Sequence, residues 1–320
     1  MRTIPAIFLF LCVCSLPVSA ERDSLVAVFW NLENFFDTED GGTGGTDREF
    51  TPSGERYWTS GRYWRKCNGV AKAMFWMCGR YGRMPDVVGV AEVENRRVMQ
   101  SVARGTLLRK YDYVQVHADS PDERGIDVAL LYRESVFRML RWRAIAVDRD
   151  MYGGAMKTRD ILYVCLERDG ERFHFLVNHH PSKYGGEKRS APGRLAAMGK
   201  MVHICDSLLK CGERNIVCMG DFNDTPDGTA FSLAGGVLVN LAVPLAEKGL
   251  GTIRYDGKWE LIDMFLVDAE LSGRARMDIC FPGFLSVPDN AHSGLKPLRT
   301  YTGPRYSGGI SDHLPVVLVF

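Results

Sequence analysis

Five short segments of the chain combine carboxylate, amide and imidazole side chains, and each lies next to an apolar run. They are WNLEN at 30–34, AEVEN at 91–95, VNHHPS at 177–182, GDFND at 220–224 and SDHLP at 311–315. Taken singly, each segment would more often be a turn whose polar side chains bond their own backbone. Together they contain what hydrolysis of a phosphate ester needs: carboxylates that bind a hard divalent cation, and a histidine that accepts a proton from water.

The available ligand types favour one class of metal. Mg²⁺ binds one or two carboxylates together with waters and substrate phosphate, and Mn²⁺ accepts similar oxygen ligands. The sequence has neither a Cys-x-x-Cys pair nor a paired-histidine ligand set, which zinc would favour. We therefore expect Mg²⁺ as the cofactor, with Mn²⁺ as a substitute.

Recurring strand-like apolar runs must position these segments. The runs span 25–30, 87–91, 113–117, 126–132, 161–166, 173–179, 215–219, 261–267 and 315–320. Asp169-Gly170 separates two β-rich runs and predicts a hairpin turn. One helix is predicted from Tyr63, because apolar residues recur every three or four positions until glycines end the pattern, and a second helix is predicted after Pro192. Hairpins mixed with single helices favour a mixed α/β sandwich over an alternating parallel barrel.

Residues 1–20 have the pattern of a secretory signal: Arg2, an apolar run over 4–16 and small residues up to Ala20. A buried first strand or helix is the alternative interpretation. No repeat, linker or change in composition divides residues 21–320, so we expect a single domain that is periplasmic or secreted. No later stretch is long and apolar enough to cross a bilayer, and we expect a monomer without stable membrane insertion.

Net charge limits the kind of partner. The chain has 40 Lys and Arg, one of them Arg2, against 39 Asp and Glu, so the predicted mature form is neutral. It lacks the overall basic surface of a tight, nonspecific nucleic-acid-binding protein, and any polyanion must bind locally.

Two neighbouring stretches have unusual composition. Segment 56–66 interleaves basic and aromatic residues, which predicts either contact with a nucleic-acid strand or, because Tyr63 begins a helix, packing in the core. The stretch 37–61 is rich in Gly, Thr and Asp, and we predict that it forms a mobile surface loop.

The order Asn, Glu, His, Asp-x-Asn and Asp-His, each at a strand end, resembles the signature of the endonuclease/exonuclease/phosphatase superfamily. LIDMF at 261–265 matches the strand expected before the last Asp-His, and segment 56–66 resembles secreted bacterial members. The resemblance covers residues 25–320. It implies a four-layer α/β/β/α sandwich of two packed mixed β-sheets, and an enzyme that hydrolyses phosphate esters.

The resemblance implies a role for each matching residue. His313 corresponds to the general base, and Asp263 to the carboxylate that fixes its tautomer. Three further positions are implied to place the attacking water, hold a phosphoryl oxygen or stabilise the leaving side: Asp221, Asn223 and His179. Glu92 corresponds to the metal-binding glutamate, and the resemblance places three residues near the metal: Asn31, Glu33 and Asp312. Three residues are implied to contact substrate: Arg159, Arg124 and Ser182.

Arg124 has an alternative interpretation, and the neighbour of His179 needs one of its own. Arg124 could equally be a solvated arginine at the start of a strand. His180 follows His179 directly, and neighbouring residues of a strand point to opposite faces, so we expect His180 to pack or to belong to a substrate loop rather than to react.

Two enzymatic functions remain open. The first is a nuclease that acts on DNA or RNA, and the second is a phosphodiesterase or phosphatase for a nucleotide, an inositol phosphate or a lipid head group. The basic-aromatic segment favours the nuclease, whereas the neutral charge favours the smaller ester. A binding protein that has lost the chemistry is disfavoured, because every matched position keeps a reactive or ligating side chain.

Overall fold

The computed structural model describes residues 24–42, 45–147, 158–183 and 186–320, so the predicted signal at 1–20 lies outside the described residues. In chain order the described strands are β1 (Val26–Phe35), β2 (Val87–Val93), β3 (Tyr113–His117), β4 (Asp127–Arg133), β5 (Arg138–Ile145), β6 (Ile161–Arg168), β7 (Glu171–His179), β8 (Ile216–Asp221), β9 (Val239–Asn240), β10 (Ile253–Tyr255), β11 (Lys258–Glu260), β12 (Asp263–Val267), β13 (Arg276–Ile279), β14 (Ser286–Pro288), β15 (Leu295–Pro297), β16 (Tyr301–Thr302), β17 (Arg305–Tyr306) and β18 (Val316–Val319). The described helices are α1 (Ser60–Tyr81), α2 (Arg96–Gly105), α3 (Glu187–Lys210), α4 (Val243–Ala246) and α5 (Ala269–Ser272). Short 3₁₀ turns lie at Asp47–Phe50, Leu107–Lys110, Thr229–Ala234 and Gly283–Leu285.

Most of these strands form two six-stranded sheets. The first has the strand order β13-β18-β1-β2-β4-β3, and the second has the order β5-β6-β7-β8-β12-β9. Both sheets are mixed, because β1–β2 and β7–β8 are parallel whereas the other pairs are antiparallel. The predicted turn at Asp169-Gly170 is confirmed: it joins β6 to β7, and both residues have positive φ.

The two sheets pack face to face, and helices cover their outer faces. Along β1, Ala27 and Phe29 belong to the core shared with the second sheet, whereas Val26 and Val28 belong to the core shared with α1 and α2. This alternation is that of a strand buried on both sides. Helix α3 connects the parallel strands β7 and β8 and packs on the second sheet through Met198. The predicted four-layer α/β/β/α sandwich is confirmed.

Helix α1 confirms the helix predicted from Tyr63. The apolar positions of the predicted pattern are all buried: Tyr63, Cys67, Val70, Met74 and Met77. The helix is closed by Gly82, whose φ of 76° is the left-handed conformation that ends many helices. It begins earlier than predicted, at Ser60, because the residues of its first turn before Tyr63 are largely polar and carry no apolar signal. Within the described ranges, no helix is both long and apolar enough to cross a membrane.

The prediction that the second helix begins after Pro192 is wrong. Helix α3 begins at Glu187 and contains Pro192. Proline removes one backbone hydrogen bond from a helix, but side chains reinforce this turn. Nη1 of Arg194 donates to Oγ of Ser190 at 2.9 Å, and the same guanidinium group pairs with Glu187. These contacts span the turn that the proline weakens.

The prediction of a surface loop at 37–61 is wrong for Phe50 and Trp58, which are buried. Phe50 stacks on Phe36 with ring centroids 4.6 Å apart. Trp58 is fully buried and donates its indole N–H to the backbone oxygen of Phe36 at 3.0 Å. Single aromatic residues among Gly, Thr and Asp form no periodic pattern, so their burial has no sequence signal.

Core packing explains three of the eight basic or aromatic residues of segment 56–66. Trp58, Tyr63 and Lys66 are buried, so these three cannot contact a nucleic-acid strand at the surface. Tyr57 is exposed and Arg56 is partly exposed. The structure therefore limits the accessible basic and aromatic residues of the segment to five, at its N-terminal end and along the exposed side of α1: Arg56, Tyr57, Arg62, Trp64 and Arg65.

The close approach of β7 and β8 gives a test of this architecture. A methyl carbon at Gly220 would lie 2.5 Å from the backbone oxygen of Asn178, so Gly220→Ala should destabilise the protein by about 1–3 kcal/mol. Gly79→Ala is the matched control: Gly79 is exposed on α1 with nothing within 4 Å, and the change should stabilise by about 0.5–1 kcal/mol. Urea denaturation measures both, and a Gly220→Ala protein as stable as the wild type would contradict the strand packing.

Candidate active site

Three strand ends of the second sheet bring three predicted catalytic residues into one row. In the register of β7, β8 and β12, Asp221 is paired with His179 on one side and with Asp263 on the other. Side chains at paired positions lie close together on the same face of a sheet. Nε2 of His179 lies 3.6 Å from Oδ2 of Asp221, and all three side chains are buried.

His313 joins this row from the segment that precedes β18. The indole N–H of Trp30 donates to the backbone oxygen of His313 at 2.9 Å. Oγ of Ser311 donates to the backbone oxygen of Asn31 at 2.6 Å, and it accepts the N–H of His313 at 3.0 Å. These hydrogen bonds fix the backbone of His313 to β1, and so connect the first sheet to the row on the second.

The contact with Asp263 orients the imidazole ring of His313. Nδ1 of His313 lies 2.8 Å from Oδ2 of Asp263, and Nε2 lies 3.9 Å from Oδ2 of Asp221. Burial on its own would lower the pKa of His313, but the charges of Asp263 and Asp221 outweigh it and hold the pKa well above its usual range. Because Nδ1 bonds to the carboxylate, Nε2 is the nitrogen that can exchange a proton with a ligand.

The backbone of the first sheet is irregular where it carries the candidate metal ligands. The pairing of β1 with β2 shifts register after Asn31, and the pairing of β2 with β4 shifts after Ala91. Glu33 and Glu92 lie in these irregularities with φ of 47° and 59°, a conformation that residues other than glycine rarely adopt. Bulges of this kind redirect side chains and are common beside active sites.

Glu92 is held in its ionised form. Arg124 donates to both of its oxygens, at 3.4 Å and 3.2 Å, and the N–H of Asn34 donates to Oε2 at 2.8 Å. Burial would raise the pKa of Glu92, but these interactions outweigh it and lower the pKa below its usual value. Nε2 of His179 lies 3.9 Å from Oε1 of Glu92, so Glu92 adjoins the row formed by His179, Asp221 and Asp263.

Arg299 is a site residue that the sequence did not indicate. Its guanidinium group lies between two candidate metal-site carboxylates, 3.2 Å from Oε1 of Glu33 and 2.8 Å from Oδ2 of Asp312. Nζ of Lys66 donates to the backbone oxygen of Glu33 at 2.7 Å. Burial and the charge of Asp312 nevertheless raise the pKa of Glu33 to about 7. Arg299 belongs to no recognisable motif, so a single sequence carries no signal for it.

The site could hold a divalent cation through carboxylate oxygens. One set of candidate ligands offers only hard oxygens, which suit Mg²⁺ or Mn²⁺, and consists of Glu92, Glu33 and Asp312. A second set, whose ligand atoms all lie within 4.8 Å of one another, consists of Asp221, Asp263 and His313. Because Oδ2 of Asp263 contacts Nδ1 of His313, the second set also suits proton transfer, and the first set is then the candidate for the cation.

Asn31 is placed to orient its neighbours. Its Oδ1 accepts the N–H of Glu33 at 2.9 Å, and its Nδ2 donates to Oδ2 of Asp221 at 2.9 Å. Both ends of the amide therefore have protein partners, which suits a supporting role beside the cation better than a direct bond to it.

The sequence of the chain matches the model of the endonuclease/exonuclease/phosphatase family over residues 26–320. The chain belongs to this family. It is a family that includes nucleases and phosphatases, as its name states. No curated protein matches the chain.

Solved structures share this fold at low sequence identity. TDP2 from D. rerio, in complex with a single-strand DNA product, is 14% identical with a TM-score of 0.54, and the match covers 93% of this chain and 98% of that chain. An endonuclease/exonuclease/phosphatase family protein from Bacteroides thetaiotaomicron is 18% identical with a TM-score of 0.56 and the same coverage, 93% and 98%. A mannosyl-6-phosphatase from B. thetaiotaomicron is 16% identical with a TM-score of 0.55, covering 92% and 99%.

The remaining predicted site residues of this family member lie around the loop after β7. Arg159 is buried, and it donates to Oδ2 of Asp122 at 2.9 Å and to the backbone oxygen of His180 at 2.8 Å. Nδ2 of Asn223 donates to the same backbone oxygen at 3.0 Å. Ser182 is exposed beyond them. Arg159 and Asn223 thus anchor this loop, and Ser182 is the one of the three that faces solvent.

His180 packs, as predicted for the second histidine of the pair. Its ring lies edge-on against Phe222 with centroids 4.9 Å apart, and neither ring nitrogen has a hydrogen-bond partner among the described residues. Burial and the charges of Arg159 and Arg194 lower the pKa of His180 to about 3. The ring is therefore neutral in the folded protein at any pH near neutrality.

This shift predicts that acid destabilises the protein through His180. The pKa of His180 falls from 6.5 in the unfolded chain to about 3 in the folded protein. As the pH falls below 6.5, the unfolded chain therefore binds a proton that the native state does not. The free energy of unfolding should then fall with pH, by up to about 1.4 kcal/mol per pH unit from this residue. In His180→Leu the fall between neutral pH and about pH 5 should be smaller.

Urea denaturation at both pH values measures this dependence. His203→Leu, at an exposed position of α3, is the matched control and should keep the wild-type dependence. Equal pH dependence in His180→Leu and the wild type would show that His180 is not buried in its neutral form.

Proposed function

We propose that this chain is an exported, metal-dependent phosphoesterase, and specifically a nuclease that hydrolyses phosphodiester bonds with Mg²⁺ as the cofactor. The observation that carries the proposal is the contact of His313 with Asp263 at 2.8 Å, with Nε2 of the same ring directed toward Asp221. A base with its orienting carboxylate, next to carboxylates that suit a hard cation, is the combination that water attack on a phosphate ester needs.

His313 is the general base of this proposal. The carboxylate of Asp263 accepts a hydrogen bond from Nδ1–H of His313, which leaves the lone pair of Nε2 for the attacking water. His313 must be neutral before it can act as a base. Asp263 and Asp221 favour its protonated form, whereas a cation bound at Glu92 and Asp312 would lower the pKa of His313 and favour its neutral form. Asp221 lies on the Nε2 side of the ring and is placed to orient the water.

Glu92 would be the main ligand of the cation, with Asp312 and Glu33 beside it. The cation, when bound, supplies positive charge to the phosphoryl oxygens in the transition state. Arg124 pairs with Glu92, and Arg299 pairs with Glu33 and Asp312. Both guanidinium groups would add positive charge near the substrate phosphate.

His179 is assigned to phosphate binding. Burial and the charges of Arg159 and Arg124 hold its pKa well below the usual range, so its ring is neutral near pH 7. Nδ1 of His179 has no hydrogen-bond partner in the described part of the chain. A neutral imidazole can donate one hydrogen bond to a phosphoryl oxygen, but so low a pKa makes it a poor source of protons for a leaving group.

A phosphatase or phosphodiesterase for a smaller ester is the alternative function. Two observations favour it: the neutral charge of the chain without residues 1–20, and the similarity of the fold to that of a mannosyl-6-phosphatase. The similarity to TDP2 in complex with single-strand DNA favours the nuclease. Plasmid DNA, RNA, a bis-phosphodiester and sugar or lipid phosphates, each assayed with and without Mg²⁺, would distinguish the two.

The cation site can be tested at Glu92. Glu92→Gln keeps the size of the side chain but removes its charge, so it should weaken Mg²⁺ binding and lower turnover by about 100-fold or more. Titration of activity with Mg²⁺ measures both effects. Glu171→Gln, an exposed change at the opposite end of β7, is the control and should titrate like the wild type. Normal Mg²⁺-dependent turnover in Glu92→Gln would remove Glu92 from the cation site.

The base and its orienter should act as one unit. His313→Ala should lower kcat by about 100- to 10,000-fold, and adding Asp263→Asn should cost little more, because the second change orients a ring that is no longer present. Melting temperature and turnover per folded molecule separate catalysis from folding. His203→Ala, which removes an exposed histidine, is the control. A destabilised but fully active His313→Ala protein would show that the residue only supports the approach to β18.

A further inference from the structure

A cavity opens beside the candidate cation site, on the side of Glu33. It has a volume of about 390 Å³, and its walls include Arg56, Arg124, Arg299 and Tyr301. We call it the arginine pocket, after its three arginines. Its volume lies in the range of about 300–1,000 Å³ that is common for small-molecule sites. We propose that the arginine pocket binds a second phosphate group of the substrate, next to the phosphate that is hydrolysed; this inference rests on the proposed function.

The charge of the arginine pocket favours an anion. Three guanidinium groups from separate parts of the chain face two carboxylates, Glu33 and Glu49. The side chains of the three arginines are between 31% and 48% exposed, so a ligand can reach them. Arginine forms forked, charge-assisted hydrogen bonds with phosphate. In a chain with a net charge of only +1, this is the kind of local basic site that a polyanion requires.

Arg56 is pre-positioned in the arginine pocket. Its Nη1 donates to the backbone oxygen of Gly303 at 2.8 Å, and its guanidinium carbon lies 5.9 Å and 5.5 Å from the ring centroids of Phe50 and Tyr301. Its Nε is buried and lies 3.4 Å from Oε2 of Glu49, so a ligand can reach only the outer part of the guanidinium group, in a side chain that is 31% exposed. An arginine held between fixed partners loses little freedom when it binds a phosphate.

Arg124 and Arg299 connect the arginine pocket to the reaction. Nη2 of Arg124 lies 3.2 Å from Glu92, and Nη2 of Arg299 lies 2.8 Å from Asp312. Both arginines therefore contact the candidate cation ligands and line the pocket. A phosphate in the pocket would be a neighbour of the scissile phosphate in the same molecule, as in an oligonucleotide or in a bisphosphate.

Paired substrates that differ by one phosphate test the inference. One pair is a thymidine dinucleotide without terminal phosphates against the same dinucleotide with a phosphate at its 5′ or 3′ end. The other pair is an inositol monophosphate against an inositol bisphosphate. In the wild type the additional phosphate should raise kcat/KM by about tenfold or more, in whichever pair is cleaved. The cleaved pair identifies the source of the second phosphate.

Arg56→Gln should reduce that ratio toward one, and Arg56→Lys should retain part of it, because lysine keeps the charge but loses the fork. Arg104→Gln, which removes an exposed arginine from α2, is the matched control and should keep the wild-type ratio. Melting temperatures show whether each variant is folded, and Arg56→Lys serves as the test if Arg56→Gln is not.

Equal kcat/KM within a cleaved pair, or an unchanged ratio in the Arg56 variants, would overturn the arginine pocket but leave the proposed function intact. The proposed function fails only if Mg²⁺ supports cleavage of none of these substrates and of neither plasmid DNA nor RNA. Where no pair is cleaved, a titration with inorganic pyrophosphate decides about the pocket. Binding that Arg56→Gln weakens about tenfold would support it, and equal binding by both proteins would overturn it.

Discussion

Charge that is buried at the joined ends of the two sheets must be compensated within the protein, because removing an unpaired ion from water costs several kcal/mol. The imidazole of His313 and the carboxylate of Asp263 compensate each other across the sheet interface, and Arg124 compensates Glu92. Asp263 belongs to the second sheet, whereas His313 is fixed to β1 of the first by the indole of Trp30. The reactive groups are thus also the polar contacts that hold the two sheet ends together.

The same region contains unfavourable backbone geometry, which the surrounding sheets can maintain. Glu33, Asn34, Glu92 and Asn223 all have positive φ, and residues other than glycine adopt that conformation at a cost of about 1–3 kcal/mol each. Regular pairing of β1 with β2 before the irregularity, and the close contact of β7 with β8 at Gly220, leave these residues little freedom to relax. Rigid strands therefore hold strained ends in the positions that the chemistry needs.

The sequence was most informative where function and periodicity coincide. Polar segments after apolar runs predicted the strand ends, and the antiparallel register of β8 and β12 indeed pairs Asp221 with Asp263. It was least informative where a contact between particular side chains, near or distant in the chain, decides the outcome. The start of α3 depends on Arg194 bridging the turn around Pro192, and Arg299 contacts a carboxylate 266 positions earlier in the chain. Local patterns cannot carry such information, because the contact exists only after folding.

Under the proposed function, Arg124 and Arg299 also connect the cation to the substrate. They pair with Glu92, Glu33 and Asp312, the same carboxylates that suit a divalent cation. If these carboxylates hold a cation, the guanidinium groups no longer supply all of the compensating charge, and their N–H donors become available to substrate phosphate. Under the proposed function, a bound cation would free the arginines for phosphate, and a bound phosphate would free the carboxylates for the cation. The arginines would thus make the two binding events interdependent.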